Sequence, residues 1–422
     1  MRGIPPRLVR HLTSTPVPPS RRCDTAWAAS ERRSRSQPTL CKFRFHRARR
    51  ELLTEAKLNP PFRADHVGSL LRPPEIFAAR EKLADGELSE VGLRGVEDEA
   101  IADVIPKLEA TGMQAITDGE FRRLWFHLDF LQDLDGITVT GMIRSSSGSE
   151  DTIGMAPPKI TVTGKLAHER DIQVEDYRFV ASHTDRYPKV CIPSPTMAHF
   201  RGGRAGIDIE SYPDLDVFFE DLAQCYRDEL AHLYAAGCRY VQLDDTNLAY
   251  LCDPKMREGA IERGDDPDEL PRTYAALINA AISDVPYDMT TAIHLCRGNY
   301  KSTFFASGGY EPVAEVLFNE LDVDAYFLEY DDERSGDFAP LRFVPEDKTV
   351  VLGLVTSKRP ELESEGELLQ RIDEASSHFK GGNLGLSPQC GFASTIEGNA
   401  LTEDEQWAKL RLVVTTAERA WG

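Results

Sequence analysis

Eight short runs rich in β-branched and aliphatic residues recur past residue 55, and most are followed by an amphipathic helical stretch. This alternation constrains the fold more than any other feature of the chain. The runs are residues 63–69 (RADHVGS), 115–120 (AITDGE), 189–195 (KVCIPSP), 240–245 (YVQLDD), 290–296 (TTAIHLC), 325–330 (AYFLEY), 349–355 (TVVLGLV) and 383–390 (NLGLSPQC). Helical spacing falls at 75–83, 93–111, 215–236, 270–282, 312–321, 366–378 and 403–421. The clearest of these helices places Phe218, Phe219, Leu222, Tyr226, Leu230 and Leu233 on one face, with Gly237 as its stop. Eight strands with intervening helices over about 365 residues predict an α/β protein, a (β/α)8 TIM barrel. A doubly wound open sheet is the rival, but no G-x-G-x-x-G turn follows the first run. Residues 121–188 are too long for a simple strand-to-strand connection, so they read as a long insertion between strands 2 and 3. The insertion is expected to carry its own hairpin, including 160–163, with a polar tip at 145–149.

Charge divides the chain. Residues 1–50 hold 13 Lys and Arg against two acids, Asp24 and Glu31, a local charge of +11. The remaining 372 residues carry 36 basic and 67 acidic side chains, or −31. The basic segment is rich in Ser and Pro and lacks apolar periodicity, so residues 1–55 are expected to be a disordered extension, and 56–422 the barrel. The extension has the composition of a transit peptide, which would direct the protein to mitochondria. The alternative is an extension ahead of a true start near Leu52 or Leu53 and a cytoplasmic protein. The acidic remainder argues against nucleic acid or an anionic membrane as partner. Eight scattered cysteines without a C-x-x-C pair suit free thiols in a reducing compartment.

In a barrel of this kind the carboxyl ends of all strands meet on one face, where active sites form. Those ends are unusually polar here: Ser69, Glu120, Asp244, His294, Cys296, Glu329, Lys358 and Cys390. Side chains two apart on a strand share a face, so His294 and Cys296 can reach one point. Imidazole, thiolate and carboxylate are all zinc ligands, and His294, Cys296, Glu329 and Cys390 together suit one Zn2+ ion. Taken singly, each has an ordinary structural reading: Cys390 as a small apolar residue, Glu329 as an ion-pair partner of Arg334. Glu329 is the ligand of the set that a substrate thiol could most readily displace. Zinc deprotonates a bound thiol, which makes a sulfur nucleophile suited to alkyl transfer.

HVGS at 66–69, TDGEFRR at 117–123, QLDD at 242–245, HLC at 294–296, LEYD at 328–331 and SPQCG at 387–391 follow one another in this order. In this the chain resembles the cobalamin-independent methionine synthases, over their C-terminal catalytic barrel, from about residue 60 to the end. The resemblance implies zinc ligands His294, Cys296, Glu329 and Cys390. It also implies that Glu120 and Asp244 bind the ammonium group of homocysteine, and the Ser69 region its carboxylate. The methyl donor would be a methylated folate of the 5-methyltetrahydropteroylglutamate type, and the product methionine. This chain has no room for the second barrel of full-length members, so it resembles a short branch that takes its methyl group from the folate or from a methyl-donor protein, as a monomer or a homo-oligomer. Where the family has a histidine in the loop after strand 7, the nearest match is Lys358. It could deliver a proton only if its pKa were lowered, and otherwise it would be solvated or face an anionic substrate group.

Two other readings remain open at this level. The same device opens epoxides with a thiol such as coenzyme M, although a sulfonate would prefer cations such as Arg297 or Lys358 to two carboxylates. A non-catalytic barrel with structural zinc would serve as an assembly partner.

Overall fold

The computed structural model describes residues 60–142 and 158–422. The basic segment 1–55 and the expected hairpin tip at 145–149 lie outside the described residues. In chain order the strands are β1 (Ala115–Ile116), β2 (Asp135–Met142), β3 (Pro158–Ala167), β4 (Tyr187–Pro188), β5 (Val190–Pro193), β6 (Tyr240–Asp245), β7 (Thr290–Leu295), β8 (Ala325–Glu329), β9 (Thr349–Val355) and β10 (Leu384–Pro388). The longer helices are α1 (Pro74–Ala84), α2 (Glu90–Ala110), α3 (Val174–Ala181), α4 (Leu215–Ala235), α5 (Pro254–Glu262), α6 (Leu270–Ala281), α7 (Glu311–Asn319), α8 (Glu365–His378) and α9 (Glu403–Trp421).

This is an α/β fold. Six strands form one sheet in the order β10-β9-β8-β7-β6-β5, every pair parallel. The edges continue. On one side, Ala64 bridges Leu386 of β10, with Asp65 N donating to Leu386 O at 3.0 Å. On the other, β4 leads into β5 and pairs in parallel with β1. The segment after β1 then returns to the first: Leu70 N donates to Gly119 O at 3.0 Å, and Thr117 Oγ1 to Gly68 O at 2.8 Å. Between β1 and β4 the chain inserts the antiparallel hairpin β2–β3, which contains the expected 160–163.

Strand alternation separates two interiors. The side chains of Val241, Leu243, Ile293, Leu295, Tyr326, Leu328, Val350 and Leu352 join the core shared with the helices. Their neighbours Tyr240, Ala292, Ala325, Phe327 and Val351 form a second cluster with Phe62, Val67 and Ala115. This inner cluster includes a buried ion pair, Lys189 Nζ to Asp65 Oδ1 at 3.2 Å, with Tyr240 Oη donating to Asp65 at 2.8 Å. Farther along the same inner faces stand Gln242, Asp244, His294 and Glu329, all buried. The inner face is therefore apolar towards the strand starts and polar at the strand ends.

Some expected elements are shorter than their sequence runs. Residues 63–69 make a single bridge, because Gly68 at φ +138° turns the chain out of the ladder. The second strand stops at Ile116, ahead of Gly119 and Glu120, which take φ of +65° and +57°. The third ends at Pro193, and Pro195 opens a 3-10 turn, since proline offers no N–H to continue a sheet. Helices α3 and α5 were not expected. α5 buries only Ala260 and so shows no apolar stripe, but Asp253 caps it by accepting from Lys255 N at 2.8 Å.

Candidate metal centre

The end of β7 sets the centre. His294 lies on the inner face, and the chain continues to Cys296, whose N–H donates to Asp245 O at 2.9 Å. Cys390 arrives from the turn after β10. That turn is held on several sides: Gln389 N donates to Val355 O at 2.8 Å, Ser357 Oγ to Gly391 O at 3.0 Å, and Asn299 Nδ2 to Gly391 O at 3.1 Å. The ligand atoms of His294, Cys296 and Cys390 all lie within 4.8 Å of one another, and all three residues are buried. The two sulfurs stand 3.4 Å apart. Zinc–sulfur bonds of 2.3 Å in a tetrahedral site would place them about 3.8 Å apart, a few tenths of an ångström away. Neither ring nitrogen of His294 makes a well-formed hydrogen bond to oxygen or nitrogen, and its nearest polar neighbour is the Cys390 thiol, so the buried imidazole is under-satisfied. A metal ion would satisfy the imidazole and the thiols together. The hydrogen bond between the thiols pulls the Cys390 pKa well down and pushes that of Cys296 well up. A bound cation would favour the thiolate of both. These residues fit a soft divalent metal.

Glu329, expected as the fourth ligand, is not in this cluster. Its Oε1 accepts from Arg334 at 2.7 Å and from Lys358 at 3.2 Å, and its Oε2 accepts from Arg297 N at 2.9 Å. Burial raises its pKa, but Lys358, Arg297 and Arg334 outweigh burial and hold the carboxyl at about 2. Lys358 also departs from expectation. It is buried rather than solvated and pairs with both Glu329 and Asp331. Those carboxylates outweigh burial and raise its pKa, so it keeps its proton and makes a poor acid.

The residues expected to hold the amino acid lie nearby. Asp244 of β6 is the direct register partner of His294. Gln242 Nε2 donates to Asp244 Oδ1 at 2.6 Å and to Val67 O at 2.7 Å, which fixes the carboxylate. Glu120 sits at a left-handed backbone position, fully enclosed. Burial pushes its pKa to about 8, opposed by Arg123 and reinforced by Asp244. Arg123 pairs with Glu120 and reaches to 3.9 Å from Asp244. This is the ion pairing that forms the ordinary structural reading of these acids, and it also shows that a cation fits between the two. Ser69 is buried, and its Oγ accepts from Ala393 N at 3.2 Å, which ties it to the Cys390 loop. An added Cβ at Gly391 would fall 1.9 Å from that oxygen, so glycine is required there. A cavity of about 60 Å³ opens beside Glu120, Arg123 and Cys191.

Sequence reasoning missed Arg72. It donates to Glu120 O at 2.8 Å and Arg123 O at 3.0 Å, and to Thr395 O at 3.0 Å, so it clamps the Glu120 loop to the one after Cys390. Its only signal in sequence is a position just after the HVGS run. Arg297, considered as a contact for a sulfonate, is fully buried and spends its guanidinium on Gly308 O, Tyr310 Oη and Glu329 O.

Comparison with known proteins identifies the family. Residues 62–419 match the family described as cobalamin-independent synthase, catalytic domain. The chain is 46% identical over 370 residues to the uncharacterized protein YxjH of Bacillus subtilis, spanning 87% of this chain and 97% of that one. It is 24% identical over 327 residues to the methionine synthase of Pyrococcus horikoshii, spanning 77% and 84%. A Listeria monocytogenes structure, described as a candidate vitamin-B12 independent methionine synthase, matches with a TM-score of 0.70 at 39% identity, over 87% of this chain and 100% of that one. The chain belongs to the cobalamin-independent methionine synthase family, through its catalytic domain.

Proposed function

We propose that this protein transfers a methyl group from a methylated folate to the thiol of homocysteine, forming methionine, with Zn2+ held by His294, Cys296 and Cys390. The scaffold is a (β/α)8 barrel, with the β2–β3 hairpin as an insertion between its second and third strands. One observation carries the reading: the His294, Cys296 and Cys390 cluster stands beside Asp244, its neighbour in register, so one amino acid can be held by its sulfur and its ammonium group together.

Zinc would supply a thiolate at neutral pH by lowering the pKa of the bound thiol. The chain's own residues orient the acceptor. Glu120 and Asp244 take the ammonium group, and the Ser69 turn faces the carboxylate with its N–H and O–H groups. As the sulfur–carbon bond forms, the methyl–nitrogen bond of the donor breaks and its electron pair stays on that nitrogen, which takes up a proton from solvent in balance with the one the thiol gave up. Lys358, held by two carboxylates, does not supply that proton. Positioning of both reactants by strand-end residues then accounts for much of the rate gain.

The test is zinc content and homocysteine-dependent methyl transfer from 5-methyltetrahydrofolate, for wild type and Cys390→Ala. One zinc per chain, lost together with activity in the variant, is the expected result. A protein that binds zinc but transfers no methyl group from folate moves the donor to a partner protein. Zinc that ignores added thiol would sink the mechanism.

A further inference from the structure

The loop between β7 and α7 carries two phenylalanines that the mechanism does not use. Phe304 is 52% exposed and Phe305 38%. The loop that presents them is pinned. Phe305 N donates to Arg297 O at 3.0 Å, Ser307 N to Asp253 Oδ2 at 2.7 Å, and Gly308 N to Arg334 O at 2.9 Å. At the tip, Lys301 and Ser302 take left-handed φ of +47° and +66°. Ser302 N donates to Asn399 Oδ1 at 3.3 Å, and its Oγ accepts from Ala400 N at 2.9 Å. A fixed loop with two strained residues that holds adjacent large apolar side chains towards water works against the hydrophobic effect, and a ligand that covers them accounts for it. The rings stand beside the metal centre. Phe305 lies against Gly298, where an added Cβ would fall 2.5 Å from Cδ2 of the ring and 3.0 Å from Tyr250 Oη, and Gly298 is two residues from Cys296. Phe304 carries the Arg334 guanidinium over one face, 4.3 Å from the ring centroid. Arg334 is held in turn by Glu329 and Asp331, so that ring is mounted on a buried charge cluster and its other face is open.

We propose that Phe304 and Phe305 form a stacking platform for the flat, conjugated ring of the methyl donor, and so determine that the donor is a planar heterocycle; this rests on the folate reading of the site. Size favours a small molecule over a protein. With roughly 200 Å² for a phenylalanine side chain, the two rings offer about 180 Å². A standard protein interface covers about 800 Å² on each side. Chemistry favours a conjugated ring over an aliphatic group, because aromatic faces stack on one another beyond what their area alone contributes. The guanidinium behind Phe304 draws electron density from that ring, which suits its open face to an electron-rich, amino-substituted heterocycle. The pinned loop adds to this, since a platform fixed before binding loses little freedom when the ligand arrives.

The experiment measures equilibrium binding of 5-methyltetrahydrofolate to the full chain, together with the KM for homocysteine. Phe304→Leu and Phe305→Leu keep apolar surface but remove the ring face. Each is expected to weaken donor binding about tenfold, the scale of one base stacked on an aromatic side chain, while the KM for homocysteine stays within about twofold. Phe304→Trp keeps a ring, and the donor should quench the emission of the added indole. Donor binding within about twofold of wild type in both leucine variants overturns the platform and leaves the folate reading standing. Donor and homocysteine weakened alike also overturn it, because the loop is then only a support for the site. If the leucine variants fail to fold, Phe304→Trp decides alone, and an indole that the bound donor does not quench overturns the proposal. A wild-type protein that binds homocysteine but no folate overturns the folate reading and the platform with it, and leaves the exposed rings to a protein partner.

Discussion

Glu120 shows how a single residue can be set against its own environment. Its backbone lies in the left-handed region, where a non-glycine side chain is strained by roughly 1 kcal/mol or more. Its carboxyl is buried, and burial raises its pKa, opposed by Arg123 and reinforced by Asp244. Burial favours the protonated form and Arg123 the carboxylate, and an ammonium ion placed beside it would draw off any proton it holds. We therefore expect methionine, which has the amino group but no thiol, to release protons on binding to metal-depleted protein at pH 7. Titration calorimetry in buffers of different ionisation enthalpy measures this directly. Glu120→Gln should abolish the release. Undiminished release from that variant would assign the proton elsewhere and remove Glu120 from the acceptor site. Binding with no proton released would place the ammonium group away from it.

At the scale of elements, the strand ends serve as mounts, and the helices behind them keep those mounts still. α4 buries Phe218, Leu222, Tyr226, Leu230 and Leu233 along one face, and Tyr226 Oη donates to Pro193 O of β5 at 2.8 Å. Truncation of Leu222 to Ala is expected to cost about 2–5 kcal/mol, by analogy with other buried leucines. Denaturant unfolding would show a lower midpoint, and a loss below 1 kcal/mol would mean that the helix face collapses around the gap. α9 starts with a reciprocal capping box between Thr402 and Glu405. Thr402→Ala should cost about 1 kcal/mol, a smaller shift in the same experiment.

For the whole molecule, several buried histidines govern behaviour in acid. Burial holds His66 at about 4, with Lys189 adding to the effect, and holds His199 at about 4, with Arg263 and Arg204 adding to it. In the unfolded chain both titrate near 6.5. Between these values the unfolded state binds more protons than the folded one, so stability present above pH 6.5 is lost as pH falls towards 4. We expect the melting temperature to drop across this window. His199→Gln, which keeps a polar group near Tyr274 Oη, should flatten the slope. A profile flat from pH 7 to 4.5 would mean that these imidazoles gain protons while folded. The same three-dimensional closure that buries them joins residues 63–69 to both β10 and the segment after β1, bringing Ser69 and Cys390 together from 321 positions apart.

Local pattern alone specified a great deal. Period-two and period-3.6 spacing located the eight strand segments and the main helices, since alternating burial must be written into the residues that are buried. It also brought His294 and Cys296 to one face, and it marked Cys390, Asp244, Glu120 and Ser69 as strand-end residues. Where a strand stops was less legible, because Gly68, Glu120 and Pro193 end the ladders through backbone geometry that hydropathy does not register. Only the tertiary structure settled how the charges pair. The Glu329–Arg334 pair was among the ordinary readings of the sequence, but nothing in sequence marks Lys358 as the second partner of Glu329 or Asp331 as the partner of both cations. In a buried site the choice is made by proximity in the folded chain, where each carboxylate must find a cation or a metal and cannot turn to water instead. That requirement gave Glu329 to Lys358 and Arg334, and left His294, Cys296 and Cys390 to face one another.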